Sequence, residues 1–275
     1  FHKYVIQLRK EHEFPMSQIG NMDETPLTFD CPSNRTVEQK GSKTVAIKTS
    51  GNEKNHFTVV LACLADGKKL PPMLIFKRKT MPKEEIPHGV LVHCHEKGWM
   101  DEDGMKIWFE KIWRKRAGGL LQKKSLLVFD QFMAHLTKKT KNLAASRKTH
   151  LAVIPGGLTS QLQPLDVSIN KPFKQAIREE WNKWMMNPAD QSLTPTGRLR
   201  RPTIKQVCQW VLNAWDGIKQ EVIKKSFKKT GISNALDGTE DDDLYNNDSD
   251  LEDTANMKLD ETDSEDEEFN GFYDY

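Results

Sequence analysis

The sequence predicts an α/β fold, a mixed sheet flanked by helices, and three observations carry that expectation. Strand-like stretches come first and follow one another closely. The turn Asp66-Gly67 between two of them predicts an antiparallel hairpin. From residue 101 onward, helical and strand patterns alternate, as they do where crossover helices cover a sheet. At 275 residues the chain is long enough for one sizeable core, and mean domain size allows two.

Taken in order, residues 1–14 read as the tail of a helix entering the domain. The opening at Phe1 without an initiator Met predicts a piece of something longer. Ile19–Met22 is the first strand, with Thr25-Pro26 as its stop. Residues 30–55 are polar and turn-rich apart from Thr44–Ile47, an edge-strand candidate. Phe57–Leu64 is apolar and β-branched throughout, the pattern of a central strand, and Pro72–Phe76 is its hairpin partner. Val90–His93 is a further short strand.

Asp101-Glu102-Asp103 opens a helix with acids at the positive end of its dipole. Met105, Trp108, Phe109, Ile112 and Trp113 then recur at the spacing of a buried face. Leu126–Phe129 is apolar on both faces, as in a parallel strand covered on each side. A Lys-rich helix over 136–149 precedes a strand at 151–154, ended by Pro155-Gly156-Gly157. The helix after Asp166 carries Pro172 in its first turn and Phe173, Ile177, Trp181 and Trp184 along one side. A linker over 187–202 leads to Thr203 and Gln206, a capping-box pair. They open one last amphipathic helix running from Ile204 through Val222. The expected organisation is thus a linker-helix end (1–14), an α/β domain (15–187), a linker with a C-terminal helical extension (188–236) and a disordered acidic tail (237–275).

Charge divides the chain sharply. Residues 237–275 hold 17 Asp/Glu against one lysine, which leaves 40 Lys/Arg and 22 Asp/Glu in residues 1–236. A body at +18 attracts polyanions, and nucleic acid is the commonest of these. Cys31, Cys63, Cys94 and Cys208 are too scattered for a disulfide framework or a zinc ribbon, which points to a reducing compartment. No apolar run reaches the ~18 residues of a membrane-spanning helix.

Three acids stand where such folds build sites. Asp23 directly follows the first strand, Asp130 ends Ser125–Asp130, and Asp166 precedes a long helix. Carboxylates meeting at one rim repel unless hard cations sit between them, and Mg²⁺ takes oxygen ligands of this kind. A site of that type cuts or joins phosphodiesters.

Asn21-Met-Asp-Glu-Thr-Pro26, Leu127-Val-Phe-Asp-Gln-Phe-Met-Ala-His-Leu136 and Gln163-Pro-Leu-Asp-Val-Ser-Ile-Asn-Lys-Pro-Phe173 resemble, in this order, the catalytic domain of pogo/Tigger-type DDE transposases. Lys69-Leu-Pro-Pro-Met-Leu-Ile-Phe-Lys77 fits the same family, and the similarity covers about residues 15–187. The resemblance implies a ribonuclease H-like fold, Mg²⁺- or Mn²⁺-dependent cutting and joining of DNA, origin in a mobile element, and helix-turn-helix modules upstream. It makes Asp23, Asp130 and Asp166 the catalytic, metal-holding acids, with Asp23 bridging. Gln131 departs from the pattern, since Asn or Ser is more usual after the second acid.

Around this centre, His135, five residues past Asp130, could polarise a metal-bound water or touch the scissile phosphate, but the expected role is a supporting one, capping the helix or packing beside it. Lys77, Arg78, Lys79, Arg114, Lys115, Arg116 and the run from Arg198 to Arg201 are candidate DNA-phosphate contacts, and the same runs are candidate nuclear-import signals. His93, Cys94 and His95 alternate along a strand, which spoils a shared zinc ion. The tail carries Ser249 and Ser264 before acids, suited to acidophilic kinases, and binds either its own basic body or a basic partner. Two functions stay open: an active DNA endonuclease/transposase core, or a domesticated DNA-binding or chromatin-regulatory protein without turnover. Both put the chain in the nucleus with DNA as partner, and both allow a homodimer.

Overall fold

The computed structural model describes residues 1–33, 40 and 47–240. Its centre is a six-stranded sheet built from β1 (Ile19–Thr28), β2 (His56–Leu64), β3 (Met73–Lys77), β4 (Leu91–His95), β5 (Ser125–Phe129) and β6 (Thr149–Val153). The strand order is β4-β3-β2-β1-β5-β6. β1, β2 and β3 are successively antiparallel, whereas β4 runs parallel to β3, and β5 and β6 run parallel to β1. The predicted hairpin is present, turned by Gly67 at φ 91°.

Strand alternation builds two cores. Phe57, Val59, Leu61 and Cys63 of β2 face one, while Val60, Ala62 and Leu64 face the other. The first core is covered by α1 (His2–His12), by α6 (Asn170–Met186), which follows the single turn α5 (Thr159–Leu162), and by α7 (Ile204–Gly217) and α8 (Gln220–Lys229). The second lies beneath α2 (Glu102–Lys111), the single turn α3 (Met133–Leu136) and α4 (Lys138–Ser146). Coverage on both faces is why β2 and β5 read as continuous apolar runs. Asp101 caps α2 by accepting from the Gly104 amide at 2.7 Å, and Met105, Trp108, Phe109, Ile112 and Trp113 are all buried as the spacing predicted.

Three expectations need correction. Thr25-Pro26 does not end β1, which continues to Thr28 with Pro26 opposite Thr58. Pairing with β5 stops at Asn21, so beyond it one side of β1 is open and tolerates a residue without an N–H. The Lys-rich helix starts only at Lys138, because Thr137 is extended and accepts from the Thr140 amide at 3.2 Å, beginning a new helix. The last helix is in fact two, α7 and α8. Lys69 Nζ donates to the carbonyls of Trp215, Asp216 and Ile218 at 2.7–2.9 Å, satisfying the end of α7 before α8 begins. Both helices bury side chains in the same core as the sheet. The strand expected at Thr44–Ile47 and the tail from 241 fall outside the described residues, except that Ile47 is described and is not in a strand.

Candidate functional site: an acid cluster at the strand ends

β1 and β5 run side by side and parallel, with Asn21 opposite Val128, so Asp23, midway along β1, stands level with Asp130, just past the end of β5. Asp166 arrives on a π-helical turn (Leu165–Ile169) at the start of α6, the kind of local irregularity that often marks sites. One side chain ties two of the acids together. Asn170 Nδ2 donates to Asp23 Oδ2 at 2.7 Å and to Asp166 Oδ1 at 2.8 Å. Asp166 and Asn170 are four residues apart and so share a helix face.

A second amide holds Asp23 from the other side. Gln163 is fully buried and donates to Asp23 Oδ1 at 2.9 Å. Its own oxygen accepts from Asn21 Nδ2 at 2.9 Å, and Asn21 also donates to the Val128 carbonyl on β5 at 2.9 Å. Asn21 Oδ1 accepts from the Leu165 amide at 3.1 Å. β1, β5 and the turn carrying Asp166 are therefore fixed to one another by a single polar chain.

The next residue of β1 points the opposite way. Asp23 faces Gln163 and α6, so strand alternation sends Glu24 toward α3. There Glu24 Oε1 lies 2.9 Å from Nε2 of His135, whose side chain is wholly buried. His135 Nδ1 lies 2.9 Å from Asp130 Oδ1, though off the direction of a straight hydrogen bond. Asp130 Oδ1 also accepts from the Phe132 amide at 3.1 Å. Burial works to lower the His135 pKa, but the two flanking carboxylates outweigh it and push it up to about 10. Burial likewise works to raise Asp130, and the imidazolium beside it brings that carboxyl below its ordinary range.

Asp23 behaves in the reverse sense. Desolvation, followed by the charges of Asp166, Glu24 and Asp130, holds its carboxyl well above the ordinary range, opposed by the Asn170 amide. Desolvation first, and then Asp130, keeps Asp166 raised as well, against the donor of Asn170. Without a cation this pair favours holding a proton, as close carboxylates do. Asn170 Oδ1 is buried with no hydrogen-bond partner beside these acids. An all-oxygen donor set with one unused amide oxygen fits a hard divalent cation. Among the described residues, it is Glu24, Asp130 and His135 that bring potential ligand atoms within 4.8 Å of one another, whereas Asp23, Asp130 and Asp166 stand further apart than that. Both nitrogens of His135 already face carboxylates, however, so its place is behind Asp130.

The basic candidates separate. Lys77 ends β3 and Arg78 follows it, at the same end of the sheet as the acids, and Lys79 pairs with Glu96 at 3.3 Å. Arg114 and Lys115 are exposed, but their run sits beside the start of β5, at the opposite end. Arg116 corrects the expectation of a phosphate contact, because its side chain is turned inward and only 4 % exposed. It donates to Gln18 Oε1, Ser125 Oγ and the carbonyls of Trp113 and Lys123, and it lies over the Trp113 ring. His93, Cys94 and His95 form no metal-competent group with one another among the described residues.

The sequence profile of the DDE superfamily endonucleases matches residues 54–227. The chain belongs to that family. This DDE protein is 40% identical over 251 residues, 91% of its length, to the human "Pogo transposable element with KRAB domain". It is 38% identical over 237 residues, 86% of its length, to the mouse protein of the same name. It spans 41% and 39% of those two relatives, and they make it a pogo-type, transposase-derived member of the family. In fold it is similar to a pre-cleavage Mos1 transpososome, at TM-score 0.53 and 10% identity, covering 88% of this chain and 60% of that one. A mariner Mos1 paired-end complex with Mg gives 0.51 at 12% identity, with 88% and 61% covered. The sheet and its flanking helices are thus the ribonuclease H-like arrangement of that transposase.

Two groups of site residues escaped the reading of the sequence. Glu24 adjoins Asp23, and β1 was expected to stop too early for strand alternation to assign Glu24 a direction. Gln163 and Asn170 flank Asp166 within the same motif, three residues before it and four after. The four-residue step from Asp166 to Asn170, one helical turn, was a usable signal, whereas Gln163 is extended and lies before the turn.

Proposed function

We propose that this chain is the catalytic core of a DNA endonuclease and strand transferase that works through divalent cations held by Asp23, Asp130 and Asp166. The observation that carries this reading is the Asn170 amide shared between Asp23 and Asp166, with Asp130 near enough for its charge to raise both. The bound cations, Mg²⁺ or Mn²⁺, supply charge neutralisation at the scissile phosphate and activation of the attacking oxygen. The protein's own part is positional. Asn170 and Gln163 fix both oxygens of Asp23, and His135 fixes one oxygen of Asp130, leaving Oδ2 for a ligand. Because Asn21 ties β1 to β5 and to the Asp166 turn, the three carboxylates keep their spacing as substrate binds. Action on chromosomal DNA places the protein in the nucleus.

Nicking of supercoiled plasmid in Mg²⁺ tests the proposal, with Asp130→Asn as comparison. Wild type is expected to convert plasmid to open circles, and the variant to be slower by roughly a hundredfold or more, since the cation term is worth several kcal/mol. Equal rates overturn it. A second reading, a DNA-binding regulator without turnover, draws support from the human relative, whose name joins a pogo element to a KRAB domain. On that reading neither protein nicks DNA while both bind it.

A further inference from the structure

Away from the acids, a cleft of about 270 Å³ opens at the start of β2 and the ends of β3 and β4. Lys54, Lys77, Arg78, Lys97 and Arg201 line it, and no Asp or Glu does. Among the described residues, none of these five has a carboxylate within ion-pair distance, whereas Lys79, just beyond the cleft, is paired with Glu96. The Arg201 guanidinium lies 4.2 Å from the centre of the Phe29 ring, which fixes its direction. Burial lowers its pKa first and the charge of Arg78 lowers it further, against a weaker pull from Glu84. The cleft wall is firm. Thr58, 3 % exposed, donates to the Gly98 carbonyl at 2.9 Å, and Gly98, at φ 78°, packs against Lys77 with no room for a comfortable side chain.

Five cations without counter-charges repel one another until an anion enters. The volume lies below the ~300–1,000 Å³ of a site that encloses a small molecule, so it suits one segment of a longer polyanion. Duplex DNA, with one charge per ~1.7 Å of axis, supplies phosphates at the required density. The cleft also lies on the acids' side of the sheet. β1 runs on from Asp23 to Thr28, and Phe29 then lines the cleft. Six residues at ~3.4 Å each span roughly 20 Å, or about six base pairs at ~3.4 Å.

We infer that this cleft is a second DNA contact, gripping the phosphodiester backbone about six base pairs from the position held at the acids. The choice of DNA as the polyanion rests on the function proposed above. Binding is measured by fluorescence anisotropy in EDTA, with a labelled duplex, across a range of salt. Wild type is compared with Arg78→Gln/Lys97→Gln and with the charge-matched pair Arg114→Gln/Lys115→Gln from the opposite end of the sheet, after circular dichroism has confirmed that all three fold. Removing one cation from a phosphate flattens the log–log salt slope by about 0.9. The cleft variant is therefore expected to lose about 1.8 from the slope on a 20-base-pair duplex, and the control pair clearly less. With duplexes of about five base pairs, which cannot span acids and cleft together, the cleft variant is expected to lose less of the slope. Equal slopes for the two variants, or a cleft effect independent of duplex length, overturn the inference. Plasmid nicking is scored separately, so loss of the cleft effect with Asp130-dependent nicking retained refutes the cleft alone.

Discussion

His135 Nδ1 lies 2.9 Å from Asp130 Oδ1 at a point where the imidazole is wholly enclosed and its other nitrogen faces Glu24. A cation between two anions in a desolvated setting is costly to dismantle from one side, because the partners left behind stay charged and poorly solvated. His135→Gln keeps the volume and removes the charge. Losing one partner of a buried pair costs about 3–5 kcal/mol, and the partial exposure of Glu24 and Asp130 brings this down to roughly 2–4 kcal/mol. Urea denaturation is expected to show that loss, and a change below ~1 kcal/mol contradicts the buried-pair account.

Asn170 makes a separate demand on stability, because one amide serves two acids that each favour a proton. Replacing Asn170 with Leu removes both hydrogen bonds, at about 1–3 kcal/mol in the cation-free protein. It also unfixes the orientation of the carboxylates. In a thermal-shift titration with MgCl₂, wild type is expected to gain about 2.7 kcal/mol at a cation concentration of 100 Kd. Asn170→Leu should need more Mg²⁺ for the same rise in Tm. A titration indistinguishable from wild type removes Asn170 from the cation site.

How much of this was legible in the sequence depended on whether the signal was local. β2 and β5 announced themselves because burial on both faces leaves a continuous apolar run, and α2 because Met105, Trp108 and Phe109 share a face that Ile112 and Trp113 continue just past its end. The end of β1 was misjudged because Thr25-Pro26 is a turn signal whose meaning depends on β5 ceasing to pair at Asn21. Glu24 was missed because its partner stands 111 residues away and its direction follows from the strand, not from the motif. Arg116 looked like its neighbours Arg114 and Lys115, since nothing within the run reveals that Gln18 and Ser125 converge on it.

That burial of Arg116 gives a prediction that separates it from the basic surface. Its guanidinium has acceptors but no acidic partner among the described residues, and burial lowers its pKa to about 10. Arg116→Met fills much of the space yet leaves the Trp113 and Lys123 carbonyls and the Gln18 oxygen short of a donor. Each buried acceptor left unsatisfied costs ~1–3 kcal/mol, so chemical denaturation is expected to show a loss of at least about 2 kcal/mol. DNA affinity of the folded fraction should stay unchanged. A stable variant with weakened DNA binding reverses the assignment and returns Arg116 to the phosphate contacts.

Gly20 carries the last prediction, because its size governs how β1 sits against Trp113, in the turn just beyond α2. A Cβ there stands 2.6 Å from Cζ3 and 2.7 Å from Cη2 of Trp113, an indole that is 1 % exposed and bonded through Nε1 to Thr149 Oγ1 at 3.0 Å. The ring cannot swing aside without breaking that bond and disturbing Trp108, stacked on it at 5.7 Å between centroids. In Gly20→Ala the strand therefore has to yield. Overpacking of this kind costs about 1–3 kcal/mol, and a shift of β1 is transmitted along the strand to Asn21 and Asp23. The expected result is a Tm lower by several degrees together with weaker Mg²⁺-induced stabilisation, although position 20 touches none of the acids. An unchanged Tm shows that Trp113 has room to move and that Gly20 does not set the position of the strand.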